Sequence, residues 1–214
     1  MRKALIIGAN GKIGCQLVRM MVENGLPVRA MVRKPEQLEK YEKIGAEAVL
    51  GDLEKDFSEA FEGCDKVVFS AGSGSATGAD KTLLIDLWGA IKAVDFARQK
   101  GIDHFIMISS MNSADPDSGP VAIKHYLVAK FAADEYLKNS GLEYSILRPA
   151  RLIDDPGTGK IRTDRTDNAD ERIIPRADVA AAALYCLKTD STRGLIVDLR
   201  QGEAPLDKVL EGHR

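Results

Sequence analysis

Apolar and polar positions run along this chain in two rhythms, and the rhythm changes at glycines. Ala4, Leu5, Ile6 and Ile7 form an unbroken apolar run, the mark of a short strand buried on both faces, as in a parallel sheet. Past Gly8 and Gly11 the spacing lengthens. Ile13, Leu17, Met20 and Met21 fall on one side of a helix predicted over 12–24 and stopped by Asn24-Gly25. The same exchange then repeats. Strands are predicted over 28–32, 47–50, 66–70, 104–109, 143–147 and 195–199. Helices are predicted over 35–44, 56–61, 81–100, the stretch around 126–130 that Gly141 ends, 177–187 and 205–210. In the helix over 81–100, Leu84, Leu87, Trp88, Ile91 and Val94 make the stripe assigned to the core, with Trp88 as packing. Strand–helix alternation throughout predicts an α/β fold, a doubly wound parallel sheet with helices on both faces, in a single domain over 1–214. Only 152–171 breaks the alternation; it is polar and rich in glycine and aspartate. A short β-hairpin around Gly159 and Asp170 is expected there, in a substrate-side segment of about 151–175.

The first strand–helix junction carries candidate chemistry. Gly8, Gly11 and Gly14 recur every third residue in GANGKIG. The first permits a tight turn, the second lets a pyrophosphate approach bare backbone, and the third lets helix and strand pack closely. Asn10 lies in the same loop, and free amides near Lys12 and Ile13 at the helix start would point at phosphates, with the helix dipole assisting. Dinucleotide binding is expected. An NAD site places a carboxylate at the end of the second strand for the ribose 2′-hydroxyl. Here Val32 is followed by Arg33 and Lys34, with no carboxylate before Glu36. A guanidinium there pairs bidentately with a 2′-phosphate, so NADP is expected over NAD. The small-residue loop 71–78 follows another strand, at the end where ligands meet open α/β sheets. Asp52, just past the strand over 47–50, also fits a helix N-cap.

Further on, Tyr126 and Lys130 stand one turn apart on a helical face. An ammonium beside a phenol favours the phenolate, lowering a pKa of about 10, so the tyrosine can exchange a proton with a carbonyl or alcohol. His104 opens its strand, away from the ligand-facing end, and is given no catalytic role.

GANGKIG, Tyr126-Leu127-Val128-Ala129-Lys130 and SGLEYSILRPA together resemble the short-chain dehydrogenase/reductase superfamily, a Rossmann-fold group, and most closely its atypical, NmrA-like and flavin-reductase-like branch. The resemblance spans nearly the whole chain. It implies that Asp52 and Leu53 bracket the adenine, and that Ala71 and Gly72 face the adenosine ribose and pyrophosphate. It makes Ser110 the serine that orients the substrate oxygen, with Ser109 or Ser113 as alternates. Tyr126 becomes the proton donor, and Lys130 both its tuner and a holder of the nicotinamide ribose. Backbone at Pro149, Ala150 and Arg151 would line the nicotinamide, and Asp178 would serve packing and capping. The implied activity is NADP(H)-dependent hydride transfer to a small carbonyl or conjugated substrate. A redox sensor that binds NADP(H) without turnover, and an isomerase, epimerase or dehydratase using the same cofactor, are the alternatives. The stretch 152–175 is too short for the large substrate domain of sugar epimerases.

Composition narrows the partners. With 214 residues, 44% hydrophobic and 29% charged, the chain has an ordinary globular balance. A net charge of −2 gives no electrostatic reason to expect nucleic acid. Cys15, Cys64 and Cys186 are too scattered for a disulfide framework or a zinc site. No apolar run approaches membrane-spanning length and the first strand begins at once. A cytoplasmic protein with a small-molecule substrate is expected, a monomer or small homo-oligomer with no metal, nucleic acid or membrane partner.

Overall fold

Seven parallel strands form the floor on which the rest is built. In chain order the elements are β1 (Ala4–Ile7), α1 (Lys12–Glu23), β2 (Val28–Val32), α2 (Leu38–Glu42), β3 (Glu47–Leu50), β4 (Lys66–Phe69), α3 (Ala79–Lys81), α4 (Gly89–Gln99), β5 (His104–Ile108), α5 (Lys124–Lys138), β6 (Tyr144–Pro149), β7 (Arg151–Ile153), β8 (Lys160–Arg162), β9 (Ile173–Pro175), α6 (Arg176–Lys188), β10 (Leu195–Gln201), β11 (Ala204–Pro205) and α7 (Leu206–Glu211). The computed structural model describes residues 2–74, 76–164, 168 and 171–213. The sheet order is β11-β8-β10-β6-β5-β4-β1-β2-β3, with β3 through β10 parallel and β8 antiparallel to both β10 and β11. Strand order reverses at β1 and β4, which pair from Ala4 with Lys66 to Ile7 with Phe69. In an open α/β sheet such a switch point opens a crevice beyond the strand ends.

Period-two alternation divides the core into two layers. Ala4 and Ile6 of β1 face one side, with Val68, Ile106 and Leu147, beneath α1 and α6. Leu5 and Ile7 face the other, with Val67, Phe69, Phe105 and Met107, beneath α4 and α5.

Two expectations fail here. The helix expected over 81–100 is present and runs without a gap over 79–99, π-helical over Thr82–Trp88, but it does not bury the expected stripe. Its buried face is made by Thr82, Ile85, Asp86, Gly89, Ala90, Ala93, Val94 and Ala97, whereas Trp88 is 51% and Leu84 39% exposed. Small residues let the helix lie close to the sheet, and they set the face against the pull of the larger apolar side chains. The expected β-hairpin around Gly159 is also replaced. β8, just past Gly159, adds to the main sheet through β10 and β11, and β7 pairs in parallel with β9 in a small second sheet. Asp170 lies outside the described residues.

Candidate functional site

The glycine loop has the geometry its sequence implies. Gly8 has φ +84°, and a Cβ there would sit 2.6 Å from the Ala71 nitrogen. A Cβ on Gly14 would run into the Gly8 carbonyl oxygen. Side chains are therefore excluded where the loop meets β4's exit and where α1 meets β1. Gly11 is the N-cap of α1 and offers no side-chain cap. The first intrahelical bond comes from Cys15 to the Gly11 carbonyl at 2.9 Å, so the amides of Lys12, Ile13 and Gly14 have no partner within the helix. Uncapped amides at a helix N-terminus suit a phosphate. This cradle fits a dinucleotide.

A cavity of about 430 Å³ follows from the loop toward β2 and β3, lined by Gly8, Asn10, Gly11, Arg33, Gln37, Asp52, Leu53, Ala71 and Gly72 among others. Lys34 does not line it. The Lys34 ammonium lies 3.8 Å from Glu36, while Gln37 takes the place on the wall. Asp52 also caps the following turn, accepting from the Glu54 amide at 3.0 Å. Lys12 turns away from the cavity to pair with Asp154, which Arg176 also binds at 2.7 Å. The Lys12 hydrogen bond, with Arg176 assisting, holds the Asp154 carboxyl below its usual range.

A second cavity, about 530 Å³, shares Ser70, Ala71, Gly72, Ser73 and Thr77 with the first. Its walls bring together Ser109, Tyr126, Lys130, Ile13, Pro149, Ile123 and Leu152. Lys130 is 1% exposed, and its ammonium donates to the Ile108 carbonyl at 2.8 Å and lies 5.9 Å from the Phe69 ring centroid. Tyr126 is half-buried, and its hydroxyl bonds to none of the described residues. Of the serines that follow β5, the one on this wall is Ser109, not Ser110, whose hydroxyl turns to the Met111 carbonyl at 3.3 Å. Ala150 and Arg151 lie off both cavities. Ala150 is buried, with its amide bonded to the Leu199 carbonyl, and the Arg151 amide bonds to the Arg172 carbonyl.

Beneath Ser109 sits a group the sequence reading did not single out. Asp134 is fully buried, and its Oδ2 accepts from Ser109 at 2.9 Å, Ser113 at 3.0 Å and the Arg148 guanidinium at 3.0 and 3.1 Å. Asp86 is likewise buried, lines the second cavity, and accepts from the Ser73 amide at 3.0 Å. Its signal in the sequence was a carboxylate in step with Ala90, Ala93 and Ala97, the small-residue face of the helix. Asp178, by contrast, holds the loop after β7, accepting from the amides of Thr158 and Gly159 at 3.0 and 2.8 Å.

Sheet order, uncapped glycine loop and adjoining cavities define a Rossmann-type dinucleotide-binding protein. The NAD(P)H-binding family profile matches residues 8–190, and the chain belongs to that family. It is 42% identical to Bacillus subtilis YhfK, an uncharacterized sugar epimerase by name, over 98% of this chain and 99% of the relative. It is similar to a solved Bacillus halodurans protein provisionally named an NAD-dependent epimerase/dehydratase, with TM-score 0.94, 43% identity and 99% of both chains covered. The structure of the oxidoreductase YlbE from Lactococcus lactis matches at TM-score 0.86 and 27% identity, covering 99% of this chain and 98% of that one. No helix among the described residues is long and apolar enough to cross a membrane.

Proposed function

We propose that the protein is an NADP(H)-dependent oxidoreductase that reduces a small carbonyl or conjugated substrate. One observation carries this reading: Tyr126 and Lys130 line a cavity that adjoins the glycine-loop cavity through shared walls. The YlbE likeness supports the same class.

Bound in the cleft, the dinucleotide would supply hydride from its nicotinamide end. The chain's own groups do the rest. The amides of Lys12, Ile13 and Gly14 receive the pyrophosphate, and Arg33 pairs with the 2′-phosphate. Lys130, a buried ammonium one turn from Tyr126, holds the adjacent ribose, beside the hydroxyl proton of that tyrosine. Tyr126 gives that proton to the substrate oxygen as the carbon gains hydride, so a C–H and an O–H bond form together. Ile13, Ile123, Pro149 and Leu152 supply an apolar wall that excludes water.

The epimerase names of two relatives favour a second reading, in which hydride leaves and returns to one sugar carbon. The short stretch between β6 and α6 offers little to hold a nucleotide-sugar, which supports the reductase. The test is NADPH oxidation, followed by absorbance, across quinones, flavins, aldehydes and ketones. Turnover that Tyr126→Phe reduces supports the reading. Tight NADPH binding with no turnover of any probe would favour a binding protein instead.

A further inference from the structure

Several lysines around the adenosine end of the cleft are paired with carboxylates: Lys34 with Glu36, Lys43 with Glu39, and Lys81 with Glu54. Lys40 is different. Among the described residues it has no carboxylate within ion-pair distance, and its ammonium is held over the glycine loop, 3.1 Å from Asn10 Oδ1 and 3.3 Å from the Tyr41 hydroxyl. It also lies 4.9 Å from the Tyr41 ring centroid. The mounting is rigid, because Tyr41 is fully buried and donates to the Ala9 carbonyl at 2.6 Å. Burial raises the Tyr41 phenol above its ordinary value, so it stays a donor. α2 is thereby pinned to the loop beside Lys40.

Asn10 and Arg33 both line the adenosine-end cavity. Lys40, like Lys34, is not itself on that lining, but its ammonium rests on Asn10, which is, and Arg33 enters the same cavity from the end of β2. An ammonium resting on a neutral amide oxygen has no opposite charge to pair with, which an anion would supply. We infer that Lys40, rather than Lys34, is the second cation that reads the 2′-phosphate of a bound dinucleotide, with Asn10 holding it ready. This rests on the NADP reading above. Lys34 has a carboxylate within reach instead, its ammonium 3.8 Å from Glu36, and it has no contact with Asn10 of the glycine loop.

A purely structural role for Lys40, stapling α2 to the loop, makes a different forecast, since a loosened loop weakens NAD and NADP alike. The experiment is titration calorimetry of the full chain and its Lys40→Ala, Lys40→Arg and Lys34→Ala variants with NADP⁺, NAD⁺ and 2′,5′-ADP. Wild type should prefer NADP⁺ by about tenfold or more. Lys40→Ala should lose about five- to tenfold in NADP⁺ and 2′,5′-ADP affinity while NAD⁺ affinity stays within about twofold. Lys40→Arg should restore most of the loss, and Lys34→Ala should match wild type. An unchanged NADP⁺/NAD⁺ ratio in Lys40→Ala, whether both affinities hold or both fall, overturns the inference and leaves the NADP reading standing. Equal affinities in the wild type overturn both.

Discussion

Ser109 donates its hydroxyl to Asp134 Oδ2 at 2.9 Å, so the serine on the substrate-side wall has its one proton engaged with a buried carboxylate. It therefore meets a ligand as an acceptor. The carbonyl oxygen of a substrate must look elsewhere for its donor, and Tyr126, whose hydroxyl bonds to none of the described residues, lines the same wall.

The same carboxylate neutralises Arg148, whose side chain is 11% exposed. Asp134→Ala leaves that guanidinium and two serine hydroxyls without their shared acceptor. Breaking a buried pair from one side typically costs about 3–5 kcal/mol. Urea denaturation should show a loss of that order. Asp134→Asn, which keeps an acceptor, should lose less. An alanine variant within about 1 kcal/mol of wild type would contradict the role assigned to Asp134.

Gly11 and Gly14 should separate binding from folding. A Cβ on Gly11 meets only the Gly8 oxygen at 3.2 Å, whereas one on Gly14 meets that oxygen much closer and Ala9 Cα at 2.9 Å. Gly11→Ala should stay within about 1 kcal/mol of wild-type stability yet bind dinucleotide at least about tenfold more weakly. Gly14→Ala should lose about 1–3 kcal/mol despite the better helix propensity of alanine. Calorimetric titration and thermal melts read the two effects apart.

His104 should govern stability in mild acid. It is fully buried, its Nε2 lies 2.8 Å from Ser145 Oγ and its Nδ1 has no partner among the described residues. Burial, aided by the nearby Lys66 charge, takes its pKa from 6.5 down to about 4. The unfolded chain takes up a proton near pH 6.5 that the folded chain refuses until about pH 4. Stability is thus complete above 6.5 and falls as pH drops through this window. Between about pH 7.5 and 5 the loss should reach about 2 kcal/mol, from about 1.4 kcal/mol per unit. His104→Gln should flatten that slope in urea titrations at each pH. An equal slope in the variant would assign the effect to other groups.

Lys130 and Lys138 stand on one helix but should not behave alike. Lys130 is buried against the Ile108 carbonyl in the cavity, and Lys138 pairs with Glu135 at 2.6 Å on the surface. Lys130→Ala should weaken NADPH binding or abolish turnover, while Lys138→Ala does neither. Tyr126→Phe should leave NADPH affinity nearly intact and lower kcat by about 10² or more. Similar titrations and rates for the two lysine variants would contradict the assigned site.

Strand bounds were legible where a short, doubly buried strand leaves an unbroken apolar run, as in β1; β2, with Arg29 inside it, and the edge strand β3 also fall where the pattern put them. The cofactor loop was legible because glycine is dictated there by close backbone approach. The helix over β4 and β5 was misread because its buried face uses Ala90, Ala93 and Ala97 while Trp88 and Leu84 lie outward. Periodicity weighted by side-chain size follows the larger residues. Ser109 and Ser110 could not be separated, since the turn after β5 decides which hydroxyl faces inward. Asp134 and Lys40 act through partners distant in sequence, Arg148 and Asn10, and no local pattern announces such pairs.

α1, whose N-terminal amides carry no side-chain cap, packs its Leu17, Val18 and Met21 into the layer that also holds Val179, Ala183 and Cys186 of α6. β6, which carries Pro149 to the cavity, completes its ladder with β10, down to Leu199 opposite Pro149. A ribosome therefore makes the glycine loop first and its supports last. During synthesis the loop emerges on a helix whose packing partner does not yet exist, and the nicotinamide end has no outer strand until β10 leaves the exit tunnel. Nascent chains of increasing length should acquire NADPH binding in one late step, after the last parallel strand has emerged.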